Sequence, residues 1–102
     1  MYKTIMALEL EEIVRKNKVN IIDVREEDEI KAGHIPGIIH MPLSEFGKHL
    51  DKINKNEHYY IVCRSGQRSG VASKFLSEQG FDVTNVLGGM MTYQGKTEDE
   101  MW

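Results

Sequence analysis

The sequence predicts an α/β fold on a mainly parallel sheet, and three observations lead there. Two short runs, VNIID (19–23) and YYIVC (59–63), are rich in β-formers and almost continuously apolar. Strands buried on both faces read this way. Stretches of helical period alternate with such runs, which implies right-handed βαβ crossovers and helices on both faces of the sheet. Finally, the small residues Ser65, Gly66, Ser69 and Gly70 directly follow the second run and lead into a helical pattern. That is a strand–loop–helix sequence, and open parallel sheets place their functional crevice at the carboxyl ends of strands.

Each element has its own grounds. KTI near the start is a candidate strand. Leu10, Ile13 and Val14 share one face of a first helix, on which Glu11–Arg15 and Glu12–Lys16 stand i,i+4 in the favourable order. VNIID follows as a strand, and GIIHM (37–41) reads as another. Leu43, Phe46, Leu50 and Ile53 mark a second helix, with Ser44 as its expected cap. After YYIVC, Val71, Ala72, Phe75 and Leu76 mark a third helix, which stops at Gly80, a natural residue for a left-handed C-terminal turn. DVTNV (82–86) is a weaker strand. Gly88-Gly89 suggests a turn with positive φ or a close backbone approach. Met90 and Met91 read as core or rim residues, and residues 97–102, beginning TEDE, as a solvated tail.

The chain of 102 residues suits one domain, 1–102, with no internal repeat or linker. Its formal charge of −3 gives no reason to expect nucleic acid or an anionic membrane as a partner. No apolar run reaches the ~20 residues a spanning helix requires. The opening MYKTIMALELEE turns acidic too early for a signal peptide. One cysteine cannot form an internal disulfide, so a cytoplasmic location is expected. His34, His40, His49 and His58 form no metal-binding spacing, and neither a metal nor another cofactor is expected.

The chemistry concentrates in CRSGQRS (63–69), which holds the single cysteine and two of the four arginines. From His58 to Ser77 there is no Asp or Glu, yet Arg64, Arg68 and Lys74 are present. A loop of small residues before a helix can aim several backbone N–H groups at one point. Amides, helix dipole and guanidinium groups all favour a thiolate, and such surroundings lower a cysteine from about 8.5 to between roughly 3.5 and 7.5. Cys63 is therefore the expected nucleophile, exposed at the bottom of a shallow cleft. With no second cysteine to resolve an adduct, the group it accepts must leave to an external acceptor.

Four segments in order resemble the single-domain rhodanese (sulfurtransferase) family. They are IIDVRE (21–26), AGHIPGIIHMPLSEF (32–46), CRSGQRS (63–69) and NVLGGMMTY (85–93). The resemblance implies a five-stranded, mainly parallel sheet flanked by helices on both faces. It implies that Cys63 carries sulfane sulfur as a persulfide to a thiophilic acceptor such as cyanide or a thiol, a protein thiol included. Arg64, Ser65, Gly66, Gln67, Arg68 and Ser69 would form the loop that holds persulfide and substrate. Two basic residues there suit thiosulfate as donor better than mercaptopyruvate. The chain departs from the family pattern at Met91 and Tyr93 in the double-glycine segment, at Ile38 after the IPG turn, and at Met6 where a capping Ser or Thr is usual.

Asp23 and Arg25 read as a structural charge pair holding strand ends and loop, and His34 as a turn-stabilising residue. Two alternatives keep the same loop. A sulfur-carrier or delivery module for a partner protein needs every residue named above. A rhodanese-like cysteine phosphatase uses Cys-x5-Arg, whereas Cys63 to Arg68 is Cys-x4-Arg, a loop that closes more naturally around one sulfur than around a phosphate.

Overall fold

The computed structural model describes residues 1–99; the last three residues of the expected tail lie outside the described residues. Five strands form one sheet: β1 (Lys3–Met6), β2 (Asn20–Asp23), β3 (Ile39–His40), β4 (His58–Val62) and β5 (Asp82–Leu87). Their spatial order is β1-β5-β4-β2-β3 and every pairing is parallel. The crossovers are α1 (Ala7–Lys16), α2 (Glu27–Lys31), a 3₁₀ segment (Leu43–Lys52) and α3 (Gln67–Glu78); α4 (Gly89–Thr92) follows β5. Among the described residues no helix is long and apolar enough to cross a membrane.

Strand periodicity splits the core in two. Ile22, Tyr59, Ile61, Cys63 and Val83 pack on one face with Ala72 and Leu76 of α3 and Phe46 of the 3₁₀ segment. Ile21, Val62 and Val86 point the other way, onto Ala7 and Leu10 of α1 and Ile35. Because side chains alternate along a strand, neighbouring apolar residues serve opposite layers. Each fully buried Ile or Leu contributes roughly 1.5–3 kcal/mol. Cys63, the residue after the central strand β4, thus lies on the α3 side of the sheet.

Several local expectations need correcting. Ser44 caps nothing; Pro42 precedes the segment, which is 3₁₀ in character and kinked at Glu45. The Ser44 hydroxyl instead donates to Glu26 Oε1 at 2.6 Å. Gly47 lies in mid-segment, where glycine's backbone freedom disfavours a regular α-helix. On α1, Arg15 pairs with Glu12, not Glu11, and Glu11 accepts the N–H of Gln94 at 2.8 Å. Met6 offers no cap, but Glu9 Oε1 takes its N–H at 3.1 Å. On α3 the buried stripe is Ser69, Ala72, Ser73 and Leu76, while Val71 and Phe75 stay 62% and 41% exposed. Small residues on that stripe let the helix approach the sheet closely. Helix α2, whose residues other than Ile30 are all charged, was not anticipated.

Candidate active site

Cys63 follows β4, and α3 begins four positions later. Gly66 turns the chain between them with φ +110°, and no side chain caps the helix. The sulfur occupies the position a cap would take. Gly66 N–H donates to Sγ at 3.1 Å. Ser69 Oγ lies 3.3 Å from Sγ, placed to accept from the thiol or donate to the thiolate. Burial pushes this thiol up, but bonds from the Ser69 hydroxyl and from the amides of Ser69, Gly66 and Ser65 outweigh it and hold Cys63 below its ordinary value.

The amides face the sulfur because the carbonyls are held on the opposite side. Gly88 N–H bonds to Ser65 O at 3.0 Å, Met90 N–H to Cys63 O at 2.8 Å, and Met91 N–H to Arg64 O at 2.9 Å. Gly88 and Gly89 have φ of +81° and +50°, as the double glycine suggested, and a short helical turn follows them. Asn85 adds a side-chain clamp: Nδ2 donates to Gly66 O at 3.2 Å from within β5. Sequence reasoning missed Asn85; a side-chain amide within a strand was its one signal.

The cysteine is more deeply buried than expected. Cys63 is 1% exposed and packs within the α3-side core. Its cover comes from the α3 and 3₁₀ layers, whose closeness the hydrophobic pattern did not reveal.

The charges also differ from expectation. The chain near Cys63 is free of acids in sequence but not in space. Glu29 of α2 forks onto Arg68, with Nη1–Oε1 at 2.7 Å and Nη2–Oε2 at 2.9 Å. This fork, against the opposing effect of burial, holds the Glu29 carboxyl at about 2. Arg68 is pushed up, chiefly by the same bonds and further by the charges of Glu29 and Cys63. Arg64 is exposed and makes no ion pair among the described residues. Gln67 is exposed at the first position of α3.

Asp23 and Arg25 form a buried bidentate pair, Nη2–Oδ2 2.9 Å and Nε–Oδ1 3.0 Å. Arg25 Nη2 also donates to Gly33 O at 2.8 Å, tying the end of β2 to the turn after α2. His34 is buried there, with Nδ1 2.8 Å from Ile30 O and Nε2 3.7 Å from a Glu98 carboxylate oxygen. Its backbone exchanges two hydrogen bonds with Glu98, both 2.8 Å, which fastens the otherwise exposed residues 97–99. Among the described residues no group of acids, histidines and cysteine could hold a metal.

Comparison with known proteins gives the same family as the motifs. Residues 6–96 match the rhodanese-like domain. The chain is 47% identical over 81 residues to a Bacillus subtilis protein named "Putative sulfur carrier protein YrkF", covering 78% of this chain but only 44% of that one. It is 33% identical over 95 residues to "Thiosulfate sulfurtransferase GlpE" of Coxiella burnetii, covering 92% and 89% of the two chains. The crystal structure of a rhodanese-like domain protein from Staphylococcus aureus superposes with a TM-score of 0.89, at 37% identity, over 96% of this chain and 98% of that one.

Proposed function

The chain belongs to the rhodanese-like family, and on that premise we propose that it is a sulfurtransferase acting through Cys63, with thiosulfate as donor. One observation carries the reading: the Gly66 amide and Ser69 hydroxyl converge on Sγ at the uncapped start of α3. That arrangement stabilises negative charge on sulfur. It is equally suited to a persulfide, whose terminal sulfur is anionic.

The Cys63 thiolate attacks the outer sulfur of thiosulfate. A bond forms between the two sulfurs, the bond to the sulfonate sulfur breaks, and sulfite leaves with that electron pair. The loop from Arg64 to Ser69 surrounds the outer sulfur, its carbonyls held back by Gly88, Met90 and Met91. Arg64 is the cation we assign to the sulfonate, since Arg68 is already engaged by Glu29. An acceptor nucleophile then takes the outer sulfur and Cys63 returns as thiolate; cyanide would leave as thiocyanate. Asp23, Arg25 and His34 support the framework without touching the thiol.

A second reading shares the persulfide and differs in the acceptor: delivery to a protein thiol, favoured by the likeness to a protein named as a sulfur carrier. Against phosphate ester hydrolysis stand the short Cys-x4-Arg spacing and the engagement of both Arg68 Nη groups by Glu29.

The test is mass spectrometry of the reduced protein after exposure to thiosulfate. One sulfur atom should be gained, cyanide should remove it, and Cys63→Ser should gain none while keeping its circular dichroism. Unchanged mass in the wild-type protein would sink thiosulfate as donor. Uptake by Cys63→Ser would sink the role of Cys63.

A further inference from the structure

Glu29 reaches the site from a helix that the sequence did not announce. Its Oε1 accepts both Arg68 Nη1 and, at 3.0 Å, the N–H of Glu26, while Oε2 accepts Arg68 Nη2. One end of the fork is therefore fixed at the start of α2. The other sits on the second residue of α3, near the end of the cysteine loop. A cation at a helix N-terminus opposes the helix dipole, so α3 by itself gives Arg68 no reason to stay there. Glu29 supplies that reason.

Behind this pair stands the buried Asp23–Arg25 pair. Charges thus alternate along Asp23, Arg25, Glu29 and Arg68 before Cys63 is reached, and each arginine in the row is matched by a carboxylate. A donor anion meeting the loop finds Arg64 as its one uncompensated cation among the described residues around the loop. For Arg68 to turn to a donor, the Glu29 carboxylate would lose both of its bonds to Arg68 while an anion approaches.

The geometry points to Glu29 as a positioning residue that sets donor choice: by holding both Nη groups of Arg68, it biases the site against doubly charged donors. For its substrates the assignment rests on the sulfurtransferase reading, but the charge effect itself does not. Thiosulfate and the methanethiosulfonate anion deliver sulfur by the same step, the second releasing methanesulfinate, and they differ by one charge. Iodoacetate and iodoacetamide differ likewise as alkylators of Cys63 and need no sulfur transfer.

The experiment compares wild type, Glu29→Gln, Arg68→Gln and the double exchange in both reagent pairs at neutral pH. Glu29→Gln should raise the thiosulfate-to-methanethiosulfonate ratio of kcat/KM, and the iodoacetate-to-iodoacetamide rate ratio, by on the order of tenfold, the scale of one partly screened unit charge. Arg68→Gln should lower both ratios, and the double exchange, a neutral amide pair, should return them close to wild type. Unchanged ratios in Glu29→Gln overturn the assignment. If that variant does not fold, the double exchange decides: ratios equal to those of Arg68→Gln overturn it. Expected alkylation ratios without sulfur uptake from either donor would remove the sulfurtransferase reading and leave the role of Glu29 standing.

Discussion

Exchanging Gly89 for alanine should do more damage than its position after the last strand suggests. A methyl group there would press on the Cys63 carbonyl oxygen and lie 2.7 Å from that of Arg64, both backbone atoms unable to swing aside. The φ of +50° adds strain of about 1–2 kcal/mol for a residue with a β-carbon. The larger effect is on the bonds from Met90 and Met91 to those two carbonyls. Each is worth about 1 kcal/mol net, and a buried partner left without one costs about 1–3. Losing two gives roughly 2–6 kcal/mol, so Gly89→Ala should be destabilised by about 3–8 kcal/mol in all. Gly37→Ala is the control: its φ is +81°, yet a β-carbon meets nothing within 4 Å among the described residues. That variant should lose only about 1–2 kcal/mol. Urea unfolding measures both. The pH profile of Cys63 alkylation adds the second readout, because a displaced loop withdraws its amides and the midpoint should rise toward an ordinary thiol. Equal losses in the two variants, with an unmoved alkylation midpoint, would refute the claim that Gly89 braces the loop.

Two further outcomes follow from the charges. Arg64→Gln should lower kcat/KM for thiosulfate about tenfold, roughly 1.4 kcal/mol, and that for methanethiosulfonate clearly less; equal losses would mean that Arg64 shapes the loop and does not meet the sulfonate. Because the folded carboxyl of Glu29 is held at about 2 in place of 4.5, its contribution to stability is present above 4.5 and lost as the pH falls through about 2. Wild type should therefore lose more stability than Glu29→Gln on acidification across that window, and parallel curves in acid unfolding would contradict the pairing.

The sheet was legible because its strands declare themselves locally. VNIID and YYIVC needed only their own composition, and the loop after Cys63 only its small residues. What escaped depended on distance in sequence. Glu29 and Arg68 are 39 positions apart, and no local pattern joins them. Helix α2 holds one buried residue, Ile30, too little for a periodic signal, although Glu26 and Glu29 stand at the spacing by which a helix start closes on itself. On α3, apolar periodicity finds the buried Ala72 and Leu76, but it also includes the exposed Val71 and Phe75 and passes over Ser69 and Ser73, which are buried despite their polarity. Cys63 packs in the cluster that Ala72 and Leu76 join.

The brace from Gly88 to Met91 also orders events in time. A ribosome releases Cys63 and its loop well before the double glycine, and β1 waits far longer for β5, its parallel partner. Until residues 85–91 emerge, the loop carbonyls lack the donors of Asn85, Gly88, Met90 and Met91 that hold them away from the sulfur. The loop's geometry is therefore completed only when the segment from Asn85 to Met91 docks, and a product truncated before that segment would carry the complete CRSGQRS sequence without its brace.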